Sequence, residues 1–205
     1  MIGIVNYGSG NIQAIANIYN RLHVGFEIID NPSLLKNANK LILPGVGAFD
    51  ATMRQLLDSG LKSALDEEVL EKKKPVLGVC VGMQILSEGS EEGNLPGLGW
   101  IKGQVKKFDL SKIKEKPYLP HMGWNTVEPK KPNPLFQDIS HDLGFYFVHS
   151  YYFETSREED VLGTSFYGDI FSSAVFHDHI FGMQFHPEKS HTNGIQLLSN
   201  FAKNI

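Results

Sequence analysis

The sequence predicts an α/β protein: an open, mostly parallel sheet with helices on both faces, joined in the C-terminal half by additional antiparallel strands. Three observations carry this. Over the first 80 residues, apolar runs of strand length alternate with stretches of helical periodicity, which is the pattern of parallel strands linked by crossover helices. After Gly99 the texture changes to strand-like stretches divided by short loops, with no further helix until the end of the chain. With 205 residues, 41% of them hydrophobic and 20% charged, the chain is long enough to bury one substantial core, so residues 1–205 are expected to form a single domain.

The elements follow in order. "IGIVNY" (2–7) is a short buried strand, "NIQAIANIYNRL" (11–22) an amphipathic helix, and "VGFEIID" (24–30) a second strand. "KLILPG" (40–45) is a third strand. "DATMRQLLDSG" (50–60) and "LKSALDEEVLEKK" (61–73) are helical with Gly60 as the break between them, and "PVLGV" (75–79) is a fourth strand. The second half supplies strands at "WIKGQVKKF" (100–108), "GWNTVEP" (123–129), "GFYFVHSYYFE" (144–154), "VLGTSFYG" (161–168), "IFSSAVFHDH" (170–179) and "IFGMQFHPE" (180–188). A helix over "TNGIQLLSNFAKN" (192–204) closes the chain. No repeat, low-complexity segment or linker divides it.

Composition excludes several classes. The formal net charge is −4, and the short basic runs "EKKK", "VKK" and "PKK" are scattered, which argues against a nucleic-acid partner. The start "MIGIVNYG" has neither the basic nor the long apolar region of a leader, and no stretch approaches the ~20 apolar residues of a membrane span. A cytoplasmic protein without a membrane partner is expected. One cysteine, Cys80, makes neither an intrachain disulfide nor a cysteine-rich zinc site, so any chemistry it has runs through its thiolate.

Ligands of open parallel sheets collect at the carboxyl ends of the strands. Three loops lie there: "YGSGN", "PGVGAF" and "GVCVGM". In the first, Gln13 stands where a dinucleotide-binding G-x-G-x-x-G pattern needs its third glycine, and that reading is rejected. The third places Cys80 between Gly78 and Gly82 at a strand-to-helix turn. Small residues on both sides let the backbone turn sharply and expose a nucleophile. A helix from about Gly82 would aim its first amides and dipole at the sulfur, and the Val81 N–H is a donor for a developing oxyanion. A lone cysteine is also a good small core residue, so these five residues alone leave nucleophile and packing equally open.

A thiol nucleophile needs a base, and a histidine base needs an acceptor to orient it. Of eight histidines, His186 is distinguished by Glu188 across Pro187 in "GMQFHPEKSH". Proline disfavours helix at His186, and in an extended segment side chains two apart share a side, so Glu188 can hold one ring nitrogen while the other faces the thiol. Taken alone, the pair also fits a charge pair at an exposed strand end. "HDH" (177–179) sits at a hairpin tip with no third ligand nearby, so no metal is expected, and His23 and His141 read as surface residues.

"PGVGAF", "GVCVGMQIL" and "MQFHPEKS", in this order over the chain, resemble the class I (triad) glutamine amidotransferases, whose flavodoxin-like fold agrees with the pattern above. "YGSGN", "GLGWI", "PHMGWN" and "YFVHSYY" narrow the resemblance to glutaminase subunits that serve histidine biosynthesis. It implies Cys80 as nucleophile, His186 as acid and base, and Glu188 as its orienting group, with no cofactor. It implies further that Val81 and the backbone at Val46 and Gly47 supply oxyanion donors. The glutamine head group is expected at Gly47, Gln84, Glu92 and the backbone of His149, Ser150 and Tyr151, although Glu92 in "SEEGN" also reads as a solvated carboxylate. The implied partner is a (β/α)8-barrel cyclase subunit, forming a heterodimer through Asn11, Met122, Trp124 and Lys189, with Trp124 equally readable as a core aromatic. Asn6 departs from the aspartate expected before "YG". It leaves open a sugar amidotransferase of surface polysaccharides as the receiver of ammonia. A catalytically silent binding module is disfavoured by the intact Cys80, His186 and Glu188.

Overall fold

The computed structural model describes residues 1–114 and 118–205. Its first half comprises β1 (Ile2–Val5), α1 (Ile12–Arg21), β2 (Phe26–Ile29), β3 (Lys40–Gly45), α2 (Phe49–Asp58), α3 (Lys62–Asp66), β4 (Val76–Cys80) and the single turn α4 (Val81–Gln84). The second half comprises β5 (Gly89–Ser90), β6 (Gly103–Lys107), β7 (His121–Asn125), β8 (Glu128–Pro129), β9 (Phe145–His149), β10 (Tyr151–Thr155), β11 (Val161–Tyr167), β12 (Asp169–His177), β13 (Ile180–Met183) and α5 (His191–Asn204).

The main sheet has eight strands in the order β2-β1-β3-β4-β13-β12-β11-β8. From β2 to β13 neighbours run parallel, and from β13 to β8 they run antiparallel. Every residue of β1, β4 and β13 is buried, as a parallel sheet covered on both faces requires. The order reverses at β1, so the crossovers through α1 and through α2–α3 fall on opposite faces. Helix α1 buries Ile15, Ala16, Ile18 and Tyr19, one stripe of an amphipathic helix, and the Tyr19 hydroxyl donates to Leu198 O of α5 at 3.3 Å.

The expected alternation in the first half is present, and three differences are informative. The helix predicted over 61–73 stops at Asp66 and continues as a π turn, Glu67–Glu71, with Lys72 N bonded to Glu67 O. There Glu68 is buried between Lys72 and Lys74, at 2.9 and 2.6 Å. The helix after Cys80 begins at Val81 and lasts one turn, so it brings local amides to the sulfur but no extended dipole. Finally, the strand predicted over 144–154 bends at Ser150. β9 pairs with β7 in a two-stranded sheet, while β10 joins β6 and β5 in a three-stranded one. The bend lays His149, Ser150 and Tyr151 across the carboxyl ends of the parallel strands.

Candidate active site

A cleft of about 500 Å³ opens over those strand ends. Cys80 lies in its floor, 4% exposed, with φ +55° and ψ −115°. A positive φ is strained for a side-chain-bearing residue and is held only by surroundings that over-determine it. The surroundings here are backbone: a Cβ on Gly78 would meet Gly82 O, and one on Gly82 would meet Leu43 O, so the turn closes only with glycine at both places.

His186 ends the extended run and its backbone N–H is held by Tyr146 O at 2.9 Å. The sequence predicts Glu188 on an extended segment; instead Pro187–Lys189 form a 3₁₀ turn. The turn carries the carboxylate back under the imidazole, where Nδ1 of His186 lies 2.8 Å from Glu188 Oε1. Both side chains are 2% exposed. A carboxylate only accepts, so Nδ1 carries the proton and Nε2 is left toward the cleft. Nε2 is buried without a hydrogen bond of normal geometry, yet it lies near enough to the Cys80 sulfur for Cys80 to favour charge on the ring. Burial opposes charge on His186, but Cys80 and Glu188 outweigh it and push the imidazole up to about 10. Burial likewise opposes the Glu188 anion, but hydrogen bonds from His186 and Asn11 keep it below its ordinary value. The Asn11 Nδ2 donor lies 2.7 Å from Oε1.

The predicted oxyanion donors divide. Val81 lines the cleft and opens α4, where its N–H has no place in an intrahelical bond. The Val46 N–H donates to the Ser9 hydroxyl at 3.0 Å, and Val46 lines the cleft. Gly47, with φ +94°, lines the cleft beside it.

The predicted glutamine-site residues Gly47, Gln84, Glu92, His149, Ser150 and Tyr151 all line the same cleft. Glu92 is half-buried, and its Oε2 accepts from Phe49 N at 2.8 Å, capping the start of α2. Both amide hydrogens of Gln84 are engaged, by Tyr151 O at 3.1 Å and Gln184 Oε1 at 3.0 Å, which leaves its Oε1 as the acceptor it offers a ligand. His149 is held by Nδ1 to Tyr151 O at 2.7 Å and by Nε2 to His121 Nδ1 at 3.0 Å. Asn125 Nδ2 lies 3.2 Å from His121 Nε2 and also donates to Phe166 O at 2.8 Å. An amide N–H only donates, so both histidines are neutral and each has a single tautomer. Burial holds His121 to about 4; burial and its neighbour hold His149 to about 3.

Sequence reasoning missed Ser9, Gln184, His121 and Pro120. Gln184 was detectable: it is the polar residue two before His186 in an otherwise apolar run, hence on the same side of the strand. Ser9 and His121 act through partners far along the chain and give no local signal.

Asn11 and Lys189 stand at the mouth of the cleft. Met122 and Trp124 project from one side of β7, 55% and 49% exposed, so Trp124 is not a core aromatic. Trp124 stacks on His191 at 5.3 Å and meets Tyr146 edge-on, and Tyr146 in turn lies under the Lys189 ammonium at 5.6 Å. The four residues thus share one surface bordering the cleft. Among the described residues, no cluster of histidine, cysteine or carboxylate side chains is arranged to hold a metal, and no helix is long and apolar enough to cross a membrane.

A strained cysteine at a strand-to-helix turn and a buried histidine–carboxylate pair meet in this cleft over parallel strand ends, and the sequence model described as glutamine amidotransferase class-I matches residues 3–205. The chain belongs to the class-I glutamine amidotransferases. Within that family it is 48% identical over 202 residues to the imidazole glycerol phosphate synthase subunit HisH of Leptospira interrogans, covering 98% of this chain and 99% of the relative. It is 46% identical to the HisH 2 subunit of the same synthase in Pseudomonas aeruginosa, over 99% of both chains. In fold it is similar to the crystal structure of a glutamine amidotransferase from Thermotoga maritima, with a TM-score of 0.64 at 20% identity over 91% of this chain and 75% of that one.

Proposed function

We propose that residues 1–205 act as one domain, the glutaminase subunit of an imidazole glycerol phosphate synthase. It hydrolyses L-glutamine to L-glutamate and ammonia and passes the ammonia to a (β/α)8-barrel cyclase subunit. That partner forms imidazole glycerol phosphate and AICAR in cytoplasmic L-histidine biosynthesis. The observation that carries the reading is the buried His186–Glu188 pair turned toward the sulfur of Cys80, at 2.8 Å between imidazole and carboxylate.

The geometry supports the following steps. The Cys80 thiolate attacks the side-chain carboxamide carbon of glutamine, and the oxyanion is met by the Val81 N–H and by the backbone at Val46–Gly47 once Val46 N–H is released from Ser9. An oxyanion donor typically lowers the barrier by ~3 to 4 kcal/mol, so the second donor decides whether turnover is fast. Protonated His186 gives its Nε2 proton to the departing nitrogen, ammonia leaves, and a glutamyl thioester remains. His186 then takes a proton from water, which attacks the thioester and releases glutamate and the thiolate. Glu188, held by Asn11, keeps the imidazole in one tautomer throughout. Glu92, Gln84 Oε1 and the backbone of His149, Ser150 and Tyr151 are suited to the charged head of glutamine. The face bearing Asn11, Met122, Trp124 and Lys189 suits the cyclase because it borders the point where ammonia is freed.

The test is complementation. A bacterial strain lacking its own glutaminase subunit of this synthase is expected to grow without histidine when given this chain. No growth, with soluble chain present, would move the ammonia to another receiver.

A further inference from the structure

Resting on the reading of Cys80 as nucleophile, we propose that Gln184 is a further catalytic residue, whose side-chain N–H binds the Cys80 sulfur and stabilises its thiolate from the side not occupied by His186. Gln184 is fully buried, and its Nε2 lies 3.8 Å from Cys80 Sγ. The sheet places it there. β13 pairs parallel with β4 in the register Gly182↔Gly78 and Met183↔Val79, so the next residue on each strand brings Gln184 level with Cys80. Side chains two apart share a side of an extended strand, which sets Gln184 and His186 around one sulfur while Met183 and Phe185 enter the core.

The orientation of the carboxamide is dictated by its partners. Tyr151 O is a carbonyl and can only accept, so Gln84 must present its amine there, at 3.1 Å. The same amine meets Gln184 at 3.0 Å, so Gln184 must present its oxygen to Gln84 and its N–H to the sulfur. The opposite rotamer would set two donors against each other. His149 Nδ1, bonded to the same Tyr151 O at 2.7 Å, fixes the far end of the chain. A buried, pre-aimed N–H donor favours the anionic sulfur over the thiol.

Cys80 is the only cysteine, so alkylation by iodoacetamide reads this site alone. The rate constant is measured against pH for the isolated full chain, for Gln184→Glu and for Gln184→Met. Gln184→Glu keeps shape and the acceptor for Gln84 but replaces the N–H donor by oxygen; Gln184→Met removes both. In both variants the midpoint of the alkylation profile is expected at higher pH, with alkylation near neutrality slower by about tenfold, more so for Gln184→Glu. Melting temperature, recorded in parallel, reports any packing role. A lower melting temperature with an unmoved alkylation profile in Gln184→Glu would overturn the proposal. A wild-type Cys80 that resists alkylation at neutral pH would instead overturn the nucleophile reading on which it rests.

Discussion

The Ser9 hydroxyl holds the Val46 backbone on both sides of its Cα: it accepts from Val46 N at 3.0 Å and donates to Val46 O at 3.1 Å, where the Thr52 hydroxyl also reaches at 3.4 Å. Val46 lies between Gly45 and Gly47, and its side chain, 40% exposed, packs little against the rest. Its N–H is therefore engaged in a latch on the side of the first-strand loop, whereas the proposed mechanism needs it at the oxyanion. If ~1% of molecules hold the released conformer, a partner that selects it can activate up to ~100-fold.

Ser9→Ala is expected to raise glutamate release by the isolated chain about tenfold, the worth of one or two ordinary hydrogen bonds, and to reduce the activation by the cyclase subunit in proportion. Steady-state glutamate assays with and without that subunit measure both numbers. An unchanged basal rate would mean that Ser9 does not restrain the Val46 N–H.

Asn11 orients Glu188 through a 2.7 Å hydrogen bond and also lines the cleft mouth. Asn11→Ala is expected to lower kcat for glutamine about tenfold in the complex, with little change in KM, since the contact is to the triad and not to substrate. A rise in KM at constant kcat would place Asn11 at the glutamine site instead.

Removing a positioned acid–base group typically costs ~10² to 10⁴-fold, so His186→Ala in the complex is expected to be nearly inactive. Glu188→Gln keeps the shape and loses the charge, and is expected to retain more activity than His186→Ala. Rates of glutamate release rank the two, and wild-type turnover by either would refute the assigned roles.

The buried pair His121–His149 carries a pH signature. Folded values of about 4 and about 3 lie below the ordinary 6.5, so in acid the unfolded chain takes up two protons that the folded chain refuses. The stability from this source is complete above pH 6.5 and is lost as pH falls toward 4 and 3. In His121→Gln the slope of unfolding free energy against pH, from urea melts between pH 6.5 and 4.5, is expected to drop by about one proton. An identical slope would mean that His121 is not neutral in the folded state.

The parallel half of the sheet was legible because each strand and helix there carries its own periodicity. Cys80 was legible as the lone thiol between two glycines, and His186 with Glu188 through the proline between them. The small sheets were not: "GFYFVHSYYFE" alternates in phase throughout, and only the bend at Ser150 divides it. The 3₁₀ turn that sets Glu188 under His186 reads as extended chain in the sequence, although the conclusion about the pair survives. The Ser9 latch was hidden because it joins residues 37 apart through one hydroxyl, and the histidine pair because its members are 28 apart on strands whose pairing is not written in either.

On the proposed reading, Cys80 releases ammonia from glutamine for the cyclase partner. This is tested most directly by the complex of this chain with a cyclase subunit, in wild-type and Cys80→Ala form, supplied with either glutamine or ammonium salt. Imidazole glycerol phosphate formation is the readout. Formation is expected from both nitrogen sources in the wild type, and from ammonium alone, at an undiminished rate, in Cys80→Ala. Glutamine-dependent product from Cys80→Ala would contradict this reading.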